Sequence, residues 1–154
     1  MSDVYVIDTS VLIQAYVSES ETRRVQTLLN RLDDEDDSDE LHVLEMCLIE
    51  CGNVFWKHVR LHGMPLETAR RNIKRLLSLP LIVHPSRDYL VDAFEIGITH
   101  QLAVYDALYI MLAKSLSLPL ITTDAKQASV AQAEGVTLKP ITDFPEYQEP
   151  GENS

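Results

Sequence analysis

Val4-Tyr5-Val6-Ile7-Asp8-Thr9-Ser10 sets four apolar residues, three of them β-branched, against a carboxylate and two hydroxyl residues. The apolar run reads as a strand buried on both faces. It stops at Asp8, and Thr9 or Ser10 is placed to cap an apolar helical stretch beginning at Val11. A carboxylate that closes a buried strand is costly to leave without partners. In open α/β sheets the crevice at the carboxyl ends of the strands is also where ligands bind. The rest of the chain is therefore read for residues that come to meet Asp8.

Outward from that strand, a short helix is expected over 11–16. Ser18 with Glu21 fits a capping box for a second helix, whose buried face is Val25, Leu28, Leu29 and Leu32. The acidic run from Asp33 to Glu40 follows; such runs are usually solvated, and this one lacks the glycine and the closing glutamate of a calcium loop. A second strand over 41–44 is interrupted in pattern by His42. A helix over 46–60 ends near Gly63, and Pro65 suits the first turn of the next, along Leu66, Ala69, Ile73, Leu76 and Leu77. A third strand spans 81–83, and Ser86 can cap the helix carrying Leu90, Ala93, Phe94 and Ile96. A very apolar helix spans 106–116. A fourth strand over 120–122 leads to Asp124, a helix over 126–134 stops at Gly135, and 136–138 makes a short fifth strand. Beyond Pro140 the chain is rich in Pro and Glu and is expected to fray. Alternating strands and helices predict a three-layer α/β/α sandwich around a five-stranded parallel sheet. One domain over 1–145 and a flexible tail over 146–154 account for the chain, with no internal repeat.

The totals narrow the function. Hydrophobic residues make up 45% of 154, enough for a real core. The net charge of −11 argues against a general polyanion binder, although metal ions can supply positive charge locally. No secretory signal is read, and nothing approaches the roughly 20 apolar residues of a membrane span, so no membrane partner is expected. Two cysteines, Cys47 and Cys51, suit a reducing cytosol. With His58 and His62 they mimic paired zinc ligands, but all four fall on one expected helix. Cys51 and His58 would lie about 10 Å apart along its axis, too far for one ion.

Four acids stand out. Asp124 repeats the arrangement at Asp8, an apolar strand, a carboxylate, then a helix; an ordinary helix cap explains either residue taken alone. Glu50 lies on or beside the apolar face formed by Cys47, Cys51 and Val54, where a carboxylate needs a cation or donors; an ion pair with Lys57 is the simpler account. Asp106 opens a very apolar helix, where the helix dipole favours an acid. Four carboxylates turned toward one core or crevice repel one another unless a cation joins them. Oxygen ligands without His or Cys specify a hard ion, Mg²⁺ or Mn²⁺.

At these residues the chain resembles the PIN-domain ribonucleases, and most of all the VapC-type toxins of bacterial toxin–antitoxin pairs. The matching segments are Val6-Ile7-Asp8-Thr9-Ser10-Val11-Leu12, Leu48-Ile49-Glu50-Cys51-Gly52-Asn53 and Tyr105-Asp106-Ala107-Leu108-Tyr109. Pro119-Leu120-Ile121-Thr122-Thr123-Asp124 and Pro140-Ile141-Thr142-Asp143-Phe144 complete the set, in order and across nearly the whole chain. The family's four acidic positions fall on Asp8, Glu50, Asp106 and Asp124. Its small polar residue after the first acid falls on Thr9, and its asparagine after the glutamate falls on Asn53. The long acidic run is a departure from the family pattern.

The resemblance implies hydrolysis of RNA phosphodiesters with one or two Mg²⁺ (or Mn²⁺) ions, held chiefly by Asp8 and Asp106 with help from Asp124 and Glu50. Thr9 and Asn53 would orient ligands or water, and products would carry 5′-phosphate and 3′-hydroxyl ends. It also implies a cognate antitoxin covering the crevice and a homodimer, while the cysteine usage leads to the expectation of a cytoplasmic setting. Basic residues gather on one predicted hairpin, among them Lys57, Arg60, Arg71 and Lys74, which would meet RNA phosphates; a solvated helical hairpin is the alternative. A different class of function, a phospho-receiver, shares an acid after its first strand, a threonine after its fourth and Lys139-Pro140 after its fifth. It lacks the acceptor aspartate, since His84-Pro85 stands there, and it gives no role to Glu50 or Asp106. A PIN fold that only binds a partner is the third reading.

Overall fold

The computed structural model describes residues 3–33 and 38–151. Four strands, β1 (Val4–Ile7), β2 (Glu40–Leu44), β3 (Ile82–His84) and β4 (Leu120–Ile121), form one parallel sheet in the order β3-β2-β1-β4. Tyr5, Val6 and Ile7 are all buried, and successive residues point to opposite faces, so helices cover both sides of the sheet. Those helices are α1 (Thr9–Leu12), α2 (Thr22–Asn30), α3 (Glu45–Leu61), α4 (Leu66–Ser78), α5 (Leu90–His100), α6 (Val104–Leu116) and α7 (Ala125–Ala133). Among the described residues, no single helix is long and apolar enough to cross a membrane.

The fifth strand is a correction. Residues 136–138 make only one parallel bridge, Leu138 to Leu120. The reason lies at both ends of the pairing. β4 leaves the sheet after Ile121 to start the cap of α7, and Pro140 has no N–H to extend the ladder. Gly135, with φ of 80°, turns the chain out of α7 just before that bridge.

Three expected caps also differ. Asp8 itself caps α1, its side chain accepting from the Val11 amide, so Thr9 and Ser10 lie inside the helix. The box between Ser18 and Glu21 does not form. The Glu21 amide is satisfied instead by the buried Gln14 Oε1 at 3.0 Å, and Thr22 Oγ1 accepts from the Glu19 amide. Ser86 heads a 3-10 turn, Arg87–Tyr89, without a side-chain cap. Residues 34–37 of the acidic run lie outside the described residues. Its end is structural, since Asp39 is buried, accepts from the Asp3 amide and pairs with Arg31 Nε at 2.7 Å. After Pro140 the chain is anchored rather than frayed. Phe144 is buried edge-on against Tyr5, and the Tyr147 amide bonds to the Arg23 carbonyl. Residues 152–154 of the expected tail lie outside the described residues.

The sheet order places the site. Counting outward from β1, the chain winds one way to β2 and β3 and the other way to β4, so the switch point lies between β1 and β4. Ile7 pairs with Ile121, so the next residues, Asp8 and Thr122, leave the sheet side by side.

Candidate active site

Asp8, Glu50, Asp106 and Asp124 line one cavity of about 200 Å³, together with Thr9, Ser10, Tyr109 and Gln127. The four acids come from four elements: the end of β1, the second turn of α3, the first turn of α6 and the cap of α7. Each is placed by its local sequence. Asp8 and Asp124 hold the extended backbone of a helix N-cap and accept from Val11 N at 3.2 Å and Gln127 N at 2.8 Å. Capping and cavity lining are therefore the same act at both positions. Asp106 is the third residue of α6, where the partial positive charge of the helix end favours a carboxylate.

Asp8 is 4% exposed and is surrounded by hydroxyls instead of a cation. Ser10 Oγ donates to Oδ1 at 2.7 Å, and Thr122 Oγ1 lies 2.6 Å from Oδ2. Burial pushes its pKa up to about 6, against the lowering effect of those hydrogen bonds. Thr122 Oγ1 also lies 2.8 Å from Gln127 Oε1, and Gln127 Nε2 donates to the Asp106 carbonyl at 3.0 Å. One hydroxyl has one proton to give. With Asp8 neutral, Asp8 donates to Thr122 and Thr122 to Gln127, and each group is satisfied. With Asp8 ionised, Thr122 donates to it and Gln127 Oε1 loses its donor.

Glu50 has a different shell. Tyr109 Oη donates to its Oε1 at 2.9 Å, Thr9 Oγ1 donates to the same oxygen at 3.1 Å, and the two hydroxyls are 2.9 Å apart. No pair with Lys57 forms. Asp106 is raised by burial first, then by the charges of Asp124 and Glu50, with Lys126 opposing. Among the described residues no ion pair joins any of the four acids to a lysine or arginine.

The donor chemistry, oxygen only and carrying uncompensated charge, fits a hard divalent cation. Among the described residues no three such side chains converge on one point, because the oxygens of Asp8 and Glu50 are turned to their hydroxyl partners. The zinc alternative fails as expected: Cys47 and Cys51 are buried thiols on the continuous helix α3, which also carries His58 and ends against His62.

Not every expected residue reaches the cavity. Thr9 does. Asn53 is exposed one turn beyond Glu50 and is not among the lining residues. Lys57, Arg60, Arg71 and Lys74 are exposed on the α3–α4 hairpin, away from it. A larger cleft of about 570 Å³, lined by residues of α2 and α4 such as Leu29 and Asn72, contains none of the acids. Tyr109, Ser10, Thr122 and Gln127 carry parts of the site that residue-by-residue reading missed. A signal was present for two of them. Tyr109 sits at i+3 from Asp106, and Gln127 holds the place in α7 whose apolar companions are Val130 and Ala131.

The receiver layout is not realised. Lys139 Nζ pairs with Asp143 at 3.3 Å, and Thr122 is a hydrogen-bond partner of Asp8. Comparison with known proteins places the chain in a family. Residues 5–133 match the model of the PIN domain. The chain is 30% identical over 125 residues to Ribonuclease VapC3 of Pyrobaculum aerophilum, covering 80% of this chain and 91% of that protein. In fold it is similar to the PAE2754 protein of Pyrobaculum aerophilum, with a TM-score of 0.67, 23% identity and coverage of 93% and 94% of the two chains. It is also similar to VapBC2 of Rickettsia felis, solved bound to a DNA fragment from their promoter, with a TM-score of 0.63, 15% identity and coverage of 89% and 98%. The matched span covers most of the chain, and the ribonuclease relative is matched over most of its own length: this chain belongs to the PIN-domain family.

Proposed function

We propose that this protein is a ribonuclease that hydrolyses RNA phosphodiester bonds with Mg²⁺ or Mn²⁺, and that it is the toxin of a toxin–antitoxin pair. The observation that carries the reading is the convergence of Asp8, Glu50, Asp106 and Asp124 on one cavity, in a chain 30% identical to a VapC ribonuclease. Asp8 and Asp106 would hold the ion, with Asp124 and Glu50 completing the oxygen set. When bound, the ion supplies the positive charge that acidifies an attacking water and offsets charge developing on the scissile phosphate.

The chain's own residues do the rest. Ser10 and Thr122 fix the carboxylate plane of Asp8, and Thr9 with Tyr109 fixes that of Glu50. Gln127 ties α7 to the Asp106 carbonyl, which holds Asp124 and Asp106 to a common wall. A cavity of about 200 Å³ suits a single phosphodiester group. Labelled RNA incubated with wild type and Asp8→Asn, with and without chelator, tests this. Cleavage by wild type in Mg²⁺ alone, leaving 5′-phosphate and 3′-hydroxyl ends, is the expected result. Equal cleavage by both proteins, or cleavage in chelator, overturns it.

The partner follows the same reading. Structural neighbours such as VapBC2 of Rickettsia felis and VapBC-1 of Haemophilus influenzae support an antitoxin partner, which on this reading would cover the crevice. A cytoplasmic site of action suits an RNA target and the two free thiols. A homodimer is supported by α5, whose Leu90, Val91, Phe94 and Ile98 form an exposed apolar row that is not buried by any of the described residues. Induced expression of wild type and Asp106→Asn separates toxicity from folding load: growth arrest by wild type alone is expected.

A further inference from the structure

The acidic cavity leaves a problem that the rest of the surface answers. Four carboxylates on a chain of net charge −11 repel the polyanion they are proposed to cut. Attraction has to come from elsewhere, and the cations are not spread evenly. Residues 53–75 carry six of the 13 lysines and arginines, Lys57, Arg60, Arg70, Arg71, Lys74 and Arg75, and only one acid, Glu67. This is the α3–α4 hairpin.

Its outer face is ordered with respect to the site. Glu50, Asn53, Lys57 and Arg60 follow one another at i, i+3, i+7 and i+10, so they lie along one side of α3. The opposite side holds Cys47, Cys51 and Phe55 in the core. At 1.5 Å per residue the row runs about 15 Å from the catalytic acid to Arg60. Beside it stands Trp56, the only tryptophan of the chain, 57% exposed although it is the side chain with most to gain from burial. The Arg60 guanidinium lies over its ring, 5.6 Å from the centroid. An exposed aromatic ring with a guanidinium over one face, leaving the other for stacking, is a combination that can hold an unstacked base and its phosphates. A duplex keeps its base faces stacked inside and cannot use that ring.

We infer that the outer face of α3 is a docking track for single-stranded RNA, in which one base stacks on Trp56, and Lys57 and Arg60 neutralise the adjoining phosphates while the strand leads down to Glu50. Arg71 and Lys74, on the neighbouring helix α4, extend the positive field without reading bases. The inference rests on the ribonuclease reading for its substrate, and it adds where the strand is held and in what form.

Trp56 reports on the track directly, because its fluorescence is the protein's only tryptophan signal. Full-length protein carrying Asp8→Asn, in chelator, is titrated with a fluorescein-labelled 12-nucleotide RNA and with the same RNA annealed to its complement. The anisotropy of the label and tryptophan quenching are followed at two salt concentrations. Saturable quenching by the single strand at the midpoint seen in anisotropy is expected, with none from the duplex. Trp56→Ala should weaken single-strand binding about tenfold, and Trp56→Phe should restore most of it. Lys57→Gln with Arg60→Gln should weaken binding and lower the slope of affinity against salt by about two charges. Binding without quenching, equal quenching by duplex, or an unchanged midpoint in Trp56→Ala each overturns the proposal. So does a change from dimer to monomer in Trp56→Ala by light scattering, which would assign the ring to contact between copies. The ribonuclease reading is judged apart, by cleavage of the same strand by wild type in Mg²⁺.

Discussion

At the residue scale the site is a problem of unpaired charge solved by hydroxyls. Asp8 is the clearest case. Its folded pKa is raised to about 6 by burial, above an unfolded value of about 3.9. The folded state therefore binds the proton more tightly. The resulting stabilisation is fully present below about pH 4 and is lost as pH rises toward about 6, an effect of about 3 kcal/mol by linkage. Asp8→Asn removes the ionisation and keeps acceptors for Ser10 and Val11. In chelator at pH 7.5 it should raise unfolding stability by about 1–3 kcal/mol, and in Mg²⁺ it should abolish cleavage. Below pH 4 the gain should vanish. Chemical denaturation at both pH values checks the sign.

Tyr109 makes a second prediction at this scale. Its hydroxyl joins Glu50 and Thr9 in a triangle inside the fold. Burial holds that phenol well above its ordinary pKa, so it serves as a neutral donor. Tyr109→Phe should cost about 1 kcal/mol of stability and about tenfold in cleavage rate, with little change in KM. A double-mutant cycle with Thr9→Val should show coupling of about 0.5–1 kcal/mol, since both changes free the same carboxylate oxygen.

At the scale of elements, two glycines separate helix propensity from packing. Gly52 lies inside α3, and a Cβ there would meet nothing within 4 Å. Gly52→Ala should stabilise by about 0.5–1 kcal/mol, because alanine loses less freedom on joining a helix. Gly97 lies where α5 turns into α6, and a Cβ there would stand 2.8 Å from the Leu102 carbonyl oxygen. That oxygen is backbone and cannot step aside, so Gly97→Ala should cost about 1–3 kcal/mol. Thermal melts of both variants test the pair, and opposite signs are expected. The elements themselves were mostly legible. The 3.6-residue pattern of Val25, Leu28 and Leu29 marks α2, and the apolar run from Ala107 to Ala113 in α6 marks a helix enclosed on most sides. The caps were less legible. Ser18 with Glu21 has the local chemistry of a capping box, but Gln14, from the preceding turn, takes the Glu21 amide first. Local pattern shows which groups can bond, and competition in space chooses among them.

At the scale of the whole molecule, the surface sets a basic hairpin against an acidic remainder, and α5 carries an exposed apolar row. Leu90, Val91, Phe94 and Ile98 project from α5 without cover, with Val91 at 77% exposure. Association of two copies through this face would remove the row from water. Wild type should sediment as a dimer, and Val91→Glu with Phe94→Glu as a monomer that keeps its melting transition. A wild type that sediments as a monomer counts against the pairing.

Sequence alone carried the alternation of strands and helices, the four acids and their family, because buried strands, carboxylates at their ends and helical spacing are local patterns. It did not carry the number of strands. Whether 136–138 pairs once or several times depends on where β4 leaves the sheet and on Pro140 arriving beside it. Nor did it join Asp8 to Thr122, Glu50 to Tyr109, or Asp106 to Gln127, contacts 114, 59 and 21 residues apart. Those pairings follow from the order β3-β2-β1-β4, which sets β1 against β4 and carries the acids of α3 and α6 to the same end of the sheet. The chain determines that Asp8 must find company. Only the assembled sheet decides which hydroxyls and which carboxylates provide it, because each lies far along the chain and close only after the strands have paired.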